Sequence, residues 1–151
     1  MHAQPFVIRP AQEADLPALL ALEAACFAHP WTADNLLTEI RKPAGCFLVA
    51  LRQASPVGYV SAVLVPPEAF VNNLAVAEPC RGRGVATALM RRLENACADA
   101  GVTAVKLEVR CGNTAARSLY RSLGYVSDGV RPGFYRDPPD DAALMTHVLT
   151  D

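Results

Sequence analysis

Two glycines, Gly82 and Gly84, lie between a predicted strand and a predicted helix that begins near Val85. Glycine has no Cβ atom, so the backbone at these positions can adopt positive φ and approach a ligand closely. The first amides of the following helix have no acceptors within the helix, and the helix dipole is positive at this end. Arg81 and Arg83 add positive charge beside the turn. The segment therefore predicts a binding site for a phosphate or pyrophosphate group.

Two further side chains, Glu108 and Tyr120, have the chemistry needed to exchange protons. Glu108 lies in a predicted strand and shares a face with Lys106 and Arg110. It is either a general base near the centre of the sheet or a member of a structural ion pair. Tyr120 lies in the apolar stripe of a predicted helix, so it is either a core aromatic or a proton donor aimed at a ligand. Spacing alone leaves both alternatives open.

The glycine turn also resembles a dinucleotide-binding fingerprint, because Glu108 follows Gly84 by 24 residues. Three observations disfavour a Rossmann domain. Thr87 occupies the position that should hold a small residue, the turn follows an antiparallel series of strands, and no second mononucleotide-binding half fits in the remaining chain. A Walker loop is excluded because no Gly-Lys-Ser/Thr sequence follows the turn.

The hydrophobic pattern predicts the order β-α-α-β-β-β-α-β-α-β-β in one domain that spans residues 1–151. Short connections make the three consecutive strands between residues 46 and 76 antiparallel neighbours. The helix after the glycine turn has an apolar stripe that reaches Ala100, with Glu94 facing away from it. Residues 131–140, rich in Pro and Gly, are predicted as a loop between the last two strands. The fold class is α/β (α+β), a mixed sheet with helices on its faces.

Composition excludes several classes of function. The net charge of −1 gives no overall footprint for nucleic acid or a membrane surface, and no run of about 18 apolar residues predicts a membrane span. The five cysteines and three histidines are dispersed, with no Cys-x-x-Cys pair, so we expect neither a metal site nor a disulfide framework. Reduced cysteines are typical of a cytoplasmic protein, which is the location we expect.

The sequence around the turn resembles the GNAT superfamily of N-acetyltransferases. Arg81-x-x-Gly84-x-Ala86 matches the signature Gln/Arg-x-x-Gly-x-Gly/Ala of that family, in the correct strand-turn-helix context. Other segments resemble the RimI type of the family, whose members acetylate the N-terminal alanine of a small-subunit ribosomal protein. These segments are residues 30–31, 72–76, 107–110, 113, 119–120, 122–125, 133–135, 141–142 and 145.

The resemblance implies the GNAT fold, a mostly antiparallel sheet of about six or seven strands with helices on both faces. Acetyl-CoA would lie between two splayed strands at residues 70–76 and 104–109, with its pantetheine arm paired to the backbone of the first as an added strand. Residues 82–87 would cradle its pyrophosphate. The residues expected to contact acetyl-CoA are Leu74, Ala75, Val76, Arg81, Gly82, Arg83, Gly84, Val85, Ala86, Thr87, Asn113 and Tyr120.

The resemblance also implies the catalytic roles, with Glu108 as general base and Tyr120 as general acid. A peptide α-amine has a pKa of about 7.7–8.0 and is largely protonated at neutral pH. Glu108 would remove that proton, directly or through water, so that the amine attacks the thioester. A backbone N–H near Val76 would stabilise the oxyanion, and Tyr120 would protonate the departing thiolate.

The acceptor implied by the resemblance is a protein N-terminus, with a ribosomal protein as the partner. Its groove would lie between residues 27–31 and 131–138, with Trp31 and Tyr135 as substrate-binding residues. The family often has a second aromatic residue or an asparagine beside that tyrosine, where this chain has Pro-Gly-Phe at residues 132–134. This departure leaves the preferred peptide open.

Two alternatives remain at this point. A GNAT enzyme acting on a small-molecule amine or a lysine side chain would use the same cofactor site. A non-catalytic acetyl-CoA-binding module is the second alternative, and the presence of both Glu108 and Tyr120 argues against it.

Overall fold

The computed structural model describes residues 6–149, which form one seven-stranded sheet and four α-helices. No helix within this part of the chain has the length and apolar composition needed to cross a membrane. Two short 3₁₀ turns lie at Glu13–Asp15 and Glu78–Cys80. The strands are β1 (Val7–Pro10), β2 (Gly45–Arg52), β3 (Ser55–Val65), β4 (Glu68–Val76), β5 (Ala104–Arg110), β6 (Val126–Arg136) and β7 (Pro139–Val148), and the helices are α1 (Leu16–Cys26), α2 (Ala33–Arg41), α3 (Val85–Asp99) and α4 (Thr114–Ser122).

The sheet has the strand order β1-β2-β3-β4-β5-β7-β6. Strands β1 to β4 form an antiparallel meander, and β5, β7 and β6 form a second antiparallel group. The two groups meet at β4 and β5, which run parallel because α3 connects them. The predicted mixed, mostly antiparallel sheet and its element order are confirmed.

The helices cover both faces of the sheet, as predicted. On one face lies the α3/α4 layer, in which Leu89, Leu93 and Leu123 pack against sheet residues such as Val60. On the other lies the α1/α2 layer, whose buried members are Leu19, Leu22, Leu36, Phe47, Val49, Tyr59 and Ala75. Each leucine buried in these layers stabilises the fold by about 1.5–3 kcal/mol relative to an exposed one.

The contact between β4 and β5 is short. Their register runs only from Glu68 opposite Ala104 to Phe70 opposite Lys106. Just beyond it, the pairing of β4 with β3 shifts by one residue, because Val71 pairs with Ala62 whereas Asn73 pairs with Ser61. Asn72 is therefore the extra residue of a β-bulge, which bends and twists a strand locally. The rest of β4 diverges from β5, and the predicted splayed strand pair is confirmed.

The predicted loop at residues 131–140 was wrong, because most of this segment belongs to the β6–β7 hairpin. Its pairing is irregular between Arg131 and Tyr135, where Pro132 and Gly133 lie. Strand β6 is at the edge of the sheet, where a proline need not donate to a second neighbour. The Pro and Gly content of residues 131–140 therefore indicates an irregular edge strand and not a loop.

The predicted outward orientation of Glu94 was also wrong, since this side chain on α3 is buried. The hydroxyl of Tyr125 donates to its Oε2 atom at 3.0 Å, and Arg91 Nη1 donates to its Oε1 atom at 2.7 Å. Burial, followed by the charge of Glu94, raises the pKa of Tyr125, so the phenol remains a donor. Ala100 is exposed because α3 ends at Asp99.

The hydrogen bond between Tyr125 and Glu94 leads to a prediction about the stability of a Tyr125 variant. Tyr125→Phe should lower the free energy of unfolding by about 1.5–3 kcal/mol, because a buried carboxylate loses a hydrogen-bond donor. Tyr135→Phe is the matched control: its hydroxyl has no hydrogen-bonding partner within residues 6–149. It should cost less than about 0.5 kcal/mol. Urea denaturation measures both values, and equal losses would contradict the role assigned to the pair.

Candidate active site

A cleft of about 560 Å³ opens where β4 diverges from β5. It is bounded by the carboxyl end of β4, the amino end of α3, one face of α4 and the last residues of α1. All the residues predicted to contact the cofactor line it except Arg83, whereas Glu108, Trp31 and Tyr135 lie outside its lining. Six lining residues were not predicted to contact the cofactor: Cys26, Phe27, Cys80, Ala115, Ala116 and Leu119. The helical spacing of α4 from Asn113 and Tyr120 could have identified three of these residues, Ala115, Ala116 and Leu119.

The edge of β4 presents backbone polar groups to this cleft. The amide of Ala77 donates to the carbonyl of Val57 at 2.8 Å, so this pair faces β3. Antiparallel pairs alternate in their hydrogen bonding, and therefore the N–H and C=O groups of Leu74 and Val76 point away from β3. An extended ligand lying in the gap can pair with these groups as an additional strand does.

The glycine turn has the geometry expected of an anion site. Gly82 and Gly84 have φ values of +76° and +85°, and a Cβ atom added at either would meet no protein atom within 4 Å. Gly84 is the N-cap of α3, and Ala88 donates to its carbonyl at 3.0 Å. The amides of residues 85–87 precede that bond, so they have no acceptor within the helix. Their position at the positive end of the helix dipole favours a bound anion.

Arg81 lines the cleft, but its guanidinium group is engaged by the protein. Its Nε atom donates to the carbonyl of Val76 at 2.9 Å, and its Nη2 atom lies 3.5 Å from the Sγ atom of Cys26. Cys26 Sγ in turn lies 3.6 Å from the same carbonyl. These contacts fasten the end of β4 to the glycine turn and to the end of α1. Because the carbonyl of Val76 is neutral, Arg81 keeps its positive charge beside the cleft, and the helix amides add to it.

Tyr120 is 7% exposed and lines the cleft from α4. Its ring meets that of Tyr125 edge to face, with 5.7 Å between centroids. Burial, with a smaller contribution from Tyr135, raises the pKa of Tyr120 to about 12. No hydrogen bond joins its hydroxyl to another group in residues 6–149. The phenol is thus protonated at neutral pH and able to donate to a ligand.

Glu108 lies on the opposite face of β5 from the α3/α4 layer, which receives its neighbours Leu107 and Val109. Its side chain is 34% exposed, and its Oε2 atom lies 3.2 Å from Arg131 Nη2. Burial and then the charge of Glu108 raise the pKa of Tyr135, while Arg110 lowers it. Tyr135 is therefore close enough to interact electrostatically with both Glu108 and Tyr120.

The two segments predicted to form an acceptor groove are in contact with each other. His29 Nε2, in the connection between α1 and α2, lies 3.3 Å from Asp137 Oδ2, at the tip of the β6–β7 hairpin. The ring of Tyr135 lies under the guanidinium group of Arg110, at 4.3 Å from its centroid. Trp31 is half-buried against the α1/α2 layer. Both segments were predicted, but the His29–Asp137 pair was not, because it depends on the extension of the β6–β7 hairpin through residues 131–140.

Comparisons with known proteins agree with the fold. The family model described as Acetyltransferase (GNAT) family matches residues 16–125. The putative [ribosomal protein bS18]-alanine N-acetyltransferase of Bacillus subtilis is 29% identical over 138 residues, covering 91% of each chain. The N-alpha-acetyltransferase RimI of Mycobacterium tuberculosis is 34% identical over 148 residues, covering 94% of this chain and 92% of the relative. The crystal structure of the ribosomal-protein-S18-alanine N-acetyltransferase of Escherichia coli superposes with a TM-score of 0.89 at 26% identity, covering 97% of this chain and 95% of that one.

Proposed function

Since this chain belongs to the acetyltransferase (GNAT) family and is an acetyl-CoA-dependent N-acetyltransferase, we propose that its acceptor is the α-amine of a protein N-terminus. The proposed substrate is the N-terminal alanine of a small-subunit ribosomal protein, the activity named for the relatives from B. subtilis and E. coli. The observation that carries the proposal is a cleft lined by the protonated phenol of Tyr120 and by Phe27, at the start of the α1–α2 connection that meets the β6–β7 hairpin at His29 and Asp137.

The described residues fit acetyl-CoA in size and in polarity. The edge groups of Leu74 and Val76 would pair with its pantetheine arm, and the amides of residues 85–87, with Arg83 nearby, would hold its pyrophosphate. Asn113 Oδ1 already accepts from the amide of Ala116 at 3.1 Å, so its Nδ2 group is the part left for the cofactor. Bound acetyl-CoA supplies an acetyl group activated as a thioester.

The side chains around the cleft then have separate tasks. Glu108 accepts a proton from the acceptor ammonium, directly or through water, which leaves a nucleophilic amine. Arg131 holds the Glu108 carboxylate in place by their ion pair. The N–H group of Val76, on the free edge of β4, stabilises negative charge on the carbonyl oxygen under attack. Tyr120 donates its proton to the departing sulfur, and its raised pKa keeps the phenol protonated at neutral pH.

The acceptor would enter between the α1–α2 connection, which contains Trp31, and the β6–β7 hairpin, which contains Tyr135. We also propose that residues 1–151 form a single acetyltransferase domain. A ribosomal acceptor would place the protein in the cytoplasm, with neither a membrane nor nucleic acid as a direct partner.

The cofactor placement predicts the effect of filling the glycine turn. Gly84→Val should weaken acetyl-CoA binding by about tenfold or more, because its side chain would occupy the space above the helix amides and strain a residue at φ +85°. Gly133→Val is the matched control, because Gly133 also has positive φ (+62°) and open space around it but lies in β6. Calorimetric titration should give wild-type affinity for the control. Unchanged affinity in Gly84→Val would refute the placement.

The catalytic roles predict losses in kcat without losses in cofactor binding. Glu108→Gln should lower kcat by about 10²–10⁴-fold, because the amide cannot accept the proton. Tyr120→Phe should lower kcat less, by about 10–10³-fold, since solvent can protonate the thiolate. With a pKa of about 12 for Tyr120, kcat of the wild type should not fall on the alkaline side below about pH 10. Lost acetyl-CoA affinity in Glu108→Gln would identify a structural carboxylate instead.

A panel of acceptors tests the proposed substrate directly. A peptide with a free N-terminal alanine, taken from a small-subunit ribosomal protein, should gain one acetyl group at its α-amine, as located by tandem mass spectrometry. The same peptide with a blocked N-terminus and an internal lysine is the matched control, and it should remain unmodified. Faster acetylation of that lysine, or of polyamines, would replace the proposal by a lysine or small-amine acetyltransferase.

A further inference from the structure

Glu23, near the end of α1, is a buried carboxylate in the α1/α2 layer, with 1% of its surface exposed. Its buried neighbours on the helix, Leu19 and Leu22, are apolar. Within residues 6–149, no basic side chain forms an ion pair with it. Burying a carboxylate without a cation is costly compared with an apolar side chain of similar volume. Glu23 must therefore make contacts that an apolar residue cannot make.

Three hydrogen-bond donors from three parts of the chain converge on this carboxylate. The amide of Trp31 donates to Oε1 at 2.6 Å. The hydroxyl of Tyr59 on β3 and the Nδ2 group of Asn73 on β4 both donate to Oε2, the latter at 3.2 Å. Burial and then the hydrogen bond to Glu23 raise the pKa of Tyr59, which keeps its hydroxyl a donor. These donors satisfy the charge, so the group is held rigidly.

The donors connect the two substrate-binding parts of the enzyme. Trp31 lies in the α1–α2 connection, which forms one wall of the proposed acceptor groove. Asn73 is the residue directly after the bulge at Asn72, where β4 turns away from β5 to open the acetyl-CoA cleft. The Glu23 carboxylate thus links the α1–α2 connection, one wall of the proposed acceptor groove, to strand β4. The residues of β4 that follow Asn73 present their backbone groups to the acetyl-CoA cleft.

We propose that Glu23 is a positioning residue. It fixes the α1–α2 connection, at Trp31, relative to β4, and so sets the width of the acceptor groove. It is not a catalytic residue, because it is buried and does not line the cleft. The proposal rests on the proposed function insofar as Trp31 belongs to the acceptor groove. Glu23→Gln retains one oxygen for Trp31 but presents an NH₂ group to two donors, which should loosen the junction.

A second carboxylate provides a matched control. Glu39 on α2 accepts from Nδ2 of Asn72 at 3.2 Å and from Lys42 Nζ at 2.9 Å. It contacts the same bulge but makes no hydrogen bond to the Trp31 connection. Glu39→Gln therefore removes a charge at the bulge while leaving the hydrogen bond between Glu23 and the Trp31 amide intact.

The experiment uses two readouts on both variants. Trp31 is the only tryptophan of the chain, so acrylamide quenching of tryptophan fluorescence reports on this wall. In Glu23→Gln the quenching constant should rise about twofold or more, because local opening exposes the ring. Steady-state kinetics should show the KM for the N-terminal alanine peptide raised about tenfold, with kcat and the KM for acetyl-CoA within about threefold of wild type. Glu39→Gln should match the wild type in both readouts.

Unchanged quenching and unchanged peptide KM in Glu23→Gln would overturn the proposal, as would equal losses for peptide and acetyl-CoA. If the wild type acetylates no peptide, the proposed function fails, while the quenching comparison still decides the positioning role. If Glu23→Gln does not fold, hydrogen exchange in the wild type decides: the Trp31 amide should exchange about tenfold or more slowly than that of His29 in the same connection. An unprotected Trp31 amide would overturn the proposal.

Discussion

The structure depends on one edge of strand β4, which is left unpaired along most of its length. A strand edge inside a protein normally has its N–H and C=O groups satisfied, because an unpaired buried polar group costs about 1–3 kcal/mol. Strand β4 pairs with β5 over three residues only, and beyond the bulge at Asn72 its edge faces a cleft. A cofactor with an extended polar arm completes such an edge, and GNAT enzymes bind a molecule of this kind, acetyl-CoA.

Keeping that edge open requires contacts from both sides of the sheet. At the carboxyl end of β4, Arg81 and Cys26 hold the carbonyl of Val76. At the bulge, Glu23 and Glu39 hold the two asparagines that follow one another in the strand. Arg81 and Cys26 line the cleft whereas Glu23 and Glu39 do not, and the cleft remains open beside β4. The buried carboxylate and its neighbours thus set the shape of the site without taking part in the chemistry.

Much of this arrangement was predictable because its signals are local. The glycines at 82 and 84 identified a turn with positive φ before α3, Asn113 identified the start of α4, and the helical stripe placed Tyr120 in the core. The errors concern long-range partners. Glu94 is polar by type, but a tyrosine 31 residues later draws it inward, and Pro132 is a loop signal that an edge strand tolerates. The junction at Glu23 joins residues up to 50 positions apart, a distance that no local pattern reports.

The open edge of β4 is most directly tested by amide hydrogen exchange with and without coenzyme A. Without the ligand, the amides of Leu74 and Val76 should exchange rapidly, whereas that of Ala75, which faces β3, should be protected. Saturating coenzyme A should slow exchange at Leu74, Val76 and residues 85–87 by about tenfold or more, with little change at Ala75. Leu74 and Val76 amides that are protected before the ligand is added, or that exchange equally fast after it binds, would contradict the account.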